Sequence, residues 1–226
     1  MYNPATDTYI KQRYTSAHAR GGKRVNKDAL RRELGLPVKR SIPLIAIVSR
    51  LVEDKGMDLV TCIMEELVED DVQLVIVGTG EARYKDAFQE LAQRHPTKVS
   101  ANILFDEGLA HRVYAAADIF LMPSRYEPCG LSQLIALKYG AVPVVRETGG
   151  LKDTVTPFDK YANTGNGLTF VNFNAHELLF ATKRALGFYE DSAVWDSLVK
   201  NAMDSDNSWK RSAQAYVELY KKVLQK

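Results

Sequence analysis

The sequence predicts an α/β fold: a Rossmann-like, doubly wound parallel sheet followed by C-terminal helices. Three observations carry this. Six apolar runs of strand length recur, at 43–49, 72–77, 99–105, 118–122, 141–145 and 167–171. They are continuous rather than alternating, which is how strands covered on both faces read. Helical patterns lie between them, and strand–helix alternation builds right-handed crossovers between parallel strands. From about residue 175 onward only helical patterns remain.

The elements follow in order. Residues 1–26 read as loop and irregular helix, with Asn3-Pro4 and Gly21-Gly22 as turn signals. Asn26 is placed to cap a short helix over 27–34, which Gly35 and Pro37 end. After the first strand, Leu59, Ile63, Leu67 and Val68 form one apolar stripe. Tyr84, Phe88 and Leu91 form the next, and Leu131, Leu134, Ile135 and Leu137 another. Three closing helices are expected over 177–189, 193–203 and 209–224. The domain reading is a linker and opening helix over 1–40, a Rossmann-like core over 41–175, and helices over 176–226.

Composition sets the bounds. The chain has 226 residues, 46% of them hydrophobic and 26% charged, so it can bury a core and is not a disordered or low-complexity chain. Cys62 and Cys129 are the only cysteines, which rules out a disulfide framework and leaves no paired Cys/His spacing for structural zinc. No apolar run approaches the ~18–20 residues of a bilayer span, and the N-terminus has no apolar signal region. The expectation is a cytoplasmic protein with no membrane partner. The net charge is +2, but residues 1–40 carry ten Lys/Arg against three Asp/Glu. Without a nucleic-acid motif, this basic leader reads as a solvated helix and linker, and no nucleic-acid partner is expected.

In an open parallel sheet, ligands bind beyond the carboxyl ends of the strands. The loops there hold most of the chemistry-bearing residues. Arg50 and Lys55, after the first strand, suit a diphosphate, one as a planar fork and the other as a point charge. The alternative is a solvated pair bridged to Glu53 and Asp54. Gly78-Thr79-Gly80 follows the second strand, either as a tight turn or as a nucleotide contact. The dinucleotide fingerprint needs a third small residue, and Arg83 stands in its place. Glu127, after the fourth strand, can accept hydroxyl hydrogen bonds, or serve a helix dipole. Gly130-Leu131-Ser132 offers free backbone N–H groups for an anion, or is an ordinary helix start. Cys129 reads by itself as a small buried thiol. Gly149-Gly150 is either a close approach to ligand or a turn. None of the four histidines pairs with a nucleophile motif.

Five segments stand in one order: Ser-Arg-Leu-x-x-x-Lys-Gly-x-Asp (49–58), Gly-x-Gly (78–80), His-Arg-x-x-Ala-x-Ala-Asp (111–118), Pro-Ser-Arg-Tyr-Glu-Pro-Cys-Gly-Leu-Ser-Gln (123–133) and Lys-Tyr-Gly-Ala-Val-Pro-Val-Val-Arg-Glu-Thr-Gly-Gly-Leu-Lys-Asp-Thr-Val (138–155). Together they resemble the C-terminal half of the bacterial glycogen synthases and plant starch synthases, and the resemblance covers nearly the whole chain. Broader relatives often carry a second Glu eight positions after the first, where this chain has Ile135.

The resemblance implies one half of a GT-B enzyme, two Rossmann-like domains facing across a cleft. It implies retaining transfer of glucose from ADP-glucose to an α-1,4-glucan, with the acceptor held by an N-terminal domain and this half inactive alone. Arg50 and Lys55 would bind the donor diphosphate and Glu127 the glucose hydroxyls. Gly78, Gly80, Cys129, Gly130, Leu131 and Ser132 would surround the donor, with the backbone of Leu131 and Ser132 on the distal phosphate. Phe105 would stack on adenine; the alternative is a core aromatic at a strand end. No metal and no cofactor beyond the donor substrate are implied, and the compartment is cytoplasmic, or plastid for a plant chain. The helix from Trp209 resembles the one that packs back toward the partner domain. The basic leader would then run along that partner. A UDP-sugar transferase and a non-catalytic nucleotide-binding module are the competing readings.

Overall fold

The computed structural model describes residues 2–224. Six strands form one sheet: β1 Leu44–Val48, β2 Gln73–Val77, β3 Val99–Asn102, β4 Ile119–Met122, β5 Val142–Arg146 and β6 Leu168–Phe170. Every pairing is parallel, and the spatial order is β3-β2-β1-β4-β5-β6. That is the Rossmann order, and its direction of progression reverses between β1 and β4. All of β2 and β4 is buried, as are the first four residues of β1 and β5. The continuous apolar runs therefore meant what a parallel sheet requires, helices on both faces.

Nine helices are assigned among the described residues: α1 Ala19–Glu33, α2 Met57–Glu69, α3 Ala82–Arg94, α4 Glu107–Ala116, α5 Ser132–Lys138, α6 Gly149–Thr154, α7 Ala175–Glu190, α8 Ser192–Asp204 and α9 Trp209–Leu224. Two of the predicted stripes point inward: Leu59, Ile63, Leu67 and Val68 of α2 and Tyr84, Phe88 and Leu91 of α3 are all buried. In the third, Leu137 is buried and Leu134 and Ile135 are half-buried, but Leu131 is exposed, because α5 starts only at Ser132. Side-chain caps open α4, α7 and α8, where Asp106, Asn174 and Asp191 accept from backbone N–H groups of the first turn.

One strand is shorter than its apolar run. β3 ends at Asn102, opposite Val77, the last residue of its only neighbour. Beyond that point no ladder remains to pair with, so 103–105 leave the sheet. Phe105 is 91% exposed, which overturns the reading of it as a core aromatic.

The leader departs most from expectation. Gly21-Gly22 is not a turn, and Asn26 is not a cap; both lie inside α1. Gly22 is required because a Cβ there would overlap the Tyr14 side chain, which crosses the helix. Asn26 grips the bent segment before the helix, accepting from Gln12 N and donating to Gln12 O at 2.7 Å.

The leader's charge is also partly internal. Lys23, Lys27 and Arg31 lie four residues apart and form a buried cationic stripe on α1. Lys23 Nζ donates to Tyr139 O at 2.9 Å, Lys27 Nζ to Asp118 at 2.7 Å, and Arg31 Nε to the Gln73 side chain at 2.6 Å. Asp118 also accepts from Leu44 N, so one carboxylate ties α1 to the start of β1. Burial drives the Lys23 ammonium down to about 7, helped by Lys27 and opposed by Asp118. Burial also opposes the charge of Lys27, but Asp118 and Tyr189 outweigh it and hold that pKa up. A solvated strip was expected because Lys and Arg are seldom buried unless paired. Here each has a partner.

A second buried cluster fastens the first residues. Asp7 accepts from His111 Nδ1 at 2.7 Å and from Tyr139 Oη at 2.5 Å, and Tyr2 stacks on the His111 ring at 3.9 Å. Burial raises the Asp7 carboxyl, but these donors and the Tyr9 amide outweigh it and leave the pKa lowered. His111 is thus part of a structural anchor.

Candidate functional site

The switch point lies between β1 and β4, and the loops leaving those two strands carry Arg50, Lys55 and Glu127. A cavity of about 150 Å³ opens there, bordered by Ser49, Arg50, Lys55, Met122 and Ser132. The tertiary fold thus brings three predicted residues, Arg50, Lys55 and Ser132, to one concavity.

Lys55 sits in a single 3-10 turn, Glu53–Lys55, after β1. Gly56 follows with φ +73°, and a Cβ at that position would strike the carbonyl of Pro123 in the β4 loop. The two loops are therefore in direct backbone contact, and Arg125 N donates to Asp54 O at 2.9 Å across the same seam. This proximity lets Lys55 Nζ reach Glu127 Oε2 at 2.5 Å. Ser124 Oγ donates to the same oxygen at 3.3 Å. Glu127 is buried and Lys55 half-buried, so the pair is only partly in contact with water.

The solvated alternative for Arg50 and Lys55 is not what forms. Glu53 is taken by Arg83 and Arg125, and Lys55 turns to Glu127. Arg50 is exposed and has no ion pair among the described residues. The mouth of the cavity thus presents one free guanidinium beside an ammonium already shared with a carboxylate.

Gly78 and Gly80 serve the scaffold. A Cβ on Gly78 would strike Ser49 O, and one on Gly80 would strike Leu51 O, because the β2 loop lies flat on the β1 loop. Leu51 N donates to Thr79 O and Glu81 N to Leu51 O, both at 2.9 Å. This accounts for their need of glycine without a ligand and leaves their donor contact a proposal.

After β4, Cys129 is exposed, which corrects the buried-thiol reading. Its loop is held from within. Gly150 N donates to the carbonyls of Glu127 and Pro128, each at 3.1 Å, and Gln133 Nε2 donates to Cys129 O at 3.0 Å. Gly130 has φ +75°, Leu131 is exposed, and α5 starts at Ser132. The Gly149-Gly150 pair is therefore a brace beneath the Glu127 loop. Phe105 stands in the loop after β3, on the same sheet edge and free in solvent.

Sequence reasoning assigned no role to Ser124, Arg125 or Arg146. All three lie inside the quoted motifs; Arg125 and Arg146 reach acids and backbone carbonyls of other loops, which no local spacing marks, while Ser124 bonds Glu127 three residues on in its own loop.

An all-parallel 3-2-1-4-5-6 sheet with a charged cleft at its switch point is a Rossmann-like domain. The chain belongs to the family described as glycosyl transferases group 1, whose model matches residues 26–196. It is 52% identical over 222 residues to a glycogen synthase of Clostridium beijerinckii, covering 98% of this chain and 46% of that protein. It is 53% identical over 223 residues to a glycogen synthase of Clostridium perfringens, covering 99% and 46%. Among solved structures, it matches the catalytic domain of starch synthase IV from Arabidopsis thaliana bound to ADP and acarbose. That match has a TM-score of 0.88 and 36% identity, with all of this chain and 47% of that one covered. The chain spans about half the length of the curated relatives it matches.

Proposed function

We propose that this chain is the donor-binding portion of a retaining glucosyltransferase of the glycogen/starch synthase type, with ADP-glucose as donor and an α-1,4-glucan as acceptor. The observation that carries this is the convergence of Arg50, Lys55 and Ser132 on the switch-point cavity, with Glu127 paired to Lys55 beside it, in a chain about half identical to glycogen synthases. Arg50 and Lys55 bind the diphosphate and offset the charge that grows on the leaving ADP. Preorganised charge of this kind is usually the largest catalytic term. Glu127 accepts the glucose hydroxyls, with its second oxygen held by Lys55 and Ser124. The amides of Leu131 and Ser132 contact the distal phosphate, the Gly78–Gly80 and Cys129–Gly130 backbones wall the site, and Phe105 stacks on the base.

The glucan acceptor belongs to a second domain. Helix α9 supports this: it has no buried residue, and Trp209, Tyr216 and Tyr220 are all exposed. The compartment is cytoplasmic. Among the described residues no helix is long and apolar enough to cross a membrane.

Titration calorimetry tests the reading. Saturable binding of ADP and ADP-glucose, with UDP-glucose weaker, is the expected result. Preference for UDP-glucose would shift the reading to another donor, and no heat at millimolar ligand would remove it. Glucan elongation restored by adding the N-terminal half of a relative separates an enzyme from a non-catalytic module.

A further inference from the structure

Arg146 is the last residue of β5 and is not among the residues that border the switch-point cavity. Its guanidinium bridges two loops. Nε donates to Ser124 O at 3.1 Å, Nη2 donates to Arg125 O, and Nη1 donates to Val171 O at 3.4 Å. Its acceptors are neutral carbonyls, and no carboxylate pairs with it among the described residues. Phe173 lies against the guanidinium, with its ring centroid 5.8 Å from the Arg146 carbon and 4.3 Å from that of Arg125. A planar fork with five donors fits this arrangement, and a lysine could not reproduce it.

The two carbonyls it holds in the β4 loop belong to consecutive residues. Fixing both sets the peptide planes on either side of Arg125. Ser124, fully buried, then aims its hydroxyl at Glu127 Oε2. Arg125, fixed on its carbonyl side by Arg146, donates its N–H to Asp54 O and its guanidinium to Glu53 at 2.9 Å. Those two acids begin the 3-10 turn that ends in Lys55. Arg146 therefore bears on Glu127 by the short route through Ser124, whereas the Lys55 turn is also held from within, by Lys55 N donating to Val52 O at 3.1 Å and Gly56 N to Glu53 O at 2.8 Å.

We propose that Arg146 is a positioning residue for Glu127, acting through Ser124, and that it sets the part of donor affinity that comes from the sugar rather than from the diphosphate. This rests on the reading of Glu127 as the group that accepts glucose hydroxyls. A carboxylate held by two donors loses its aim when the loop carrying one of them is released, whereas Arg50 stays on the β1 loop and keeps its grip on phosphate. Donor discrimination, not nucleotide binding, is what should fail.

The test is calorimetry of the full chain with ADP and with ADP-glucose, for Arg146→Met, Arg146→Lys and Ser124→Ala. The quantity read is the ratio of the two affinities. Arg146→Met should lower the ADP-glucose affinity about tenfold, the scale of one well-made hydrogen bond to a charged group, with ADP affinity unchanged. Ser124→Ala, which leaves every Arg146 contact in place, should move the ratio the same way, and Arg146→Lys should fall between. Arg146→Met combined with Glu127→Gln should match Glu127→Gln alone. An unchanged ratio in Arg146→Met and Ser124→Ala overturns the assignment. So does equal weakening of both ligands with a lowered melting temperature, which marks a scaffold residue only. If the unsubstituted chain binds ADP but gains nothing from the glucose, the role of Glu127 fails first and takes this inference with it. If it binds neither ligand, the donor-site reading itself fails.

Discussion

Lys55 and Glu127, 72 residues apart in the chain, meet at 2.5 Å across the seam between the β1 and β4 loops. The pair closes the switch point. It also places a cation for phosphate directly beside a carboxylate for hydroxyl groups. Removing one member leaves the other partly buried without its partner. Lys55→Met should lower stability by about 1–3 kcal/mol, and Lys55→Met with Glu127→Gln should recover part of that loss. Urea denaturation of the parent and the two variants checks this, and a double variant no better than the single one would argue against a direct pair.

Arg50 presents the opposite case. It is exposed and unpaired among the described residues, so nothing in the fold depends on its charge. Arg50→Ala should leave stability within about 0.5 kcal/mol of the parent. ADP affinity should nevertheless fall about tenfold to a hundredfold, the range of one to two charge-assisted contacts. Paired melting and calorimetry curves separate the two effects, and unchanged ADP binding would remove Arg50 from the site.

Lys23 makes stability depend on pH in an unusual window. Its pKa is about 7 in the fold against 10.5 for a free lysine. Between those values the unfolded chain binds the extra proton, so stability from this group rises as pH rises from about 7 to about 10.5. Below about pH 7 both states are protonated and the burial cost is felt in full. The stability difference between the parent and Lys23→Met should therefore move in favour of the parent by a few kcal/mol across that window. Denaturation midpoints at pH 7, 8, 9 and 10 report it, and parallel curves for the two proteins would contradict it.

Helix α9 has no buried residue, so it adds almost nothing to the stability of the domain. Deleting 207–226 should change the melting temperature by no more than an ordinary surface substitution, an effect within about 0.5 kcal/mol. Ser205, which bonds the Asn166 side chain at 3.0 Å, is kept in that truncation. A large drop in melting temperature would show that α9 packs on this domain after all.

The sequence by itself determined the six strands, their order and most of the helices between and after them, but not α6 or the first two turns of α1. Apolar runs such as 72–77 and stripes such as Leu59, Ile63 and Leu67 are local patterns, and local patterns carry period and length. It also placed Arg50, Lys55, Glu127 and Ser132 on one edge of the sheet, because they follow strands in a parallel α/β chain. Three things were decided only by the tertiary structure. Strand neighbours set where β3 stops, since hydrogen bonding ends where the partner strand ends. The interior claimed Lys23, Lys27 and Arg31, because a buried charge depends on partners far along the chain, such as Tyr139 O, Asp118 and Gln73. The seam between two loops chose Glu127 as the partner of Lys55 and put Arg146 behind the loop that carries Glu127. Each of these is a long-range contact. A contact between residues tens of positions apart leaves no period in the sequence from which to read it.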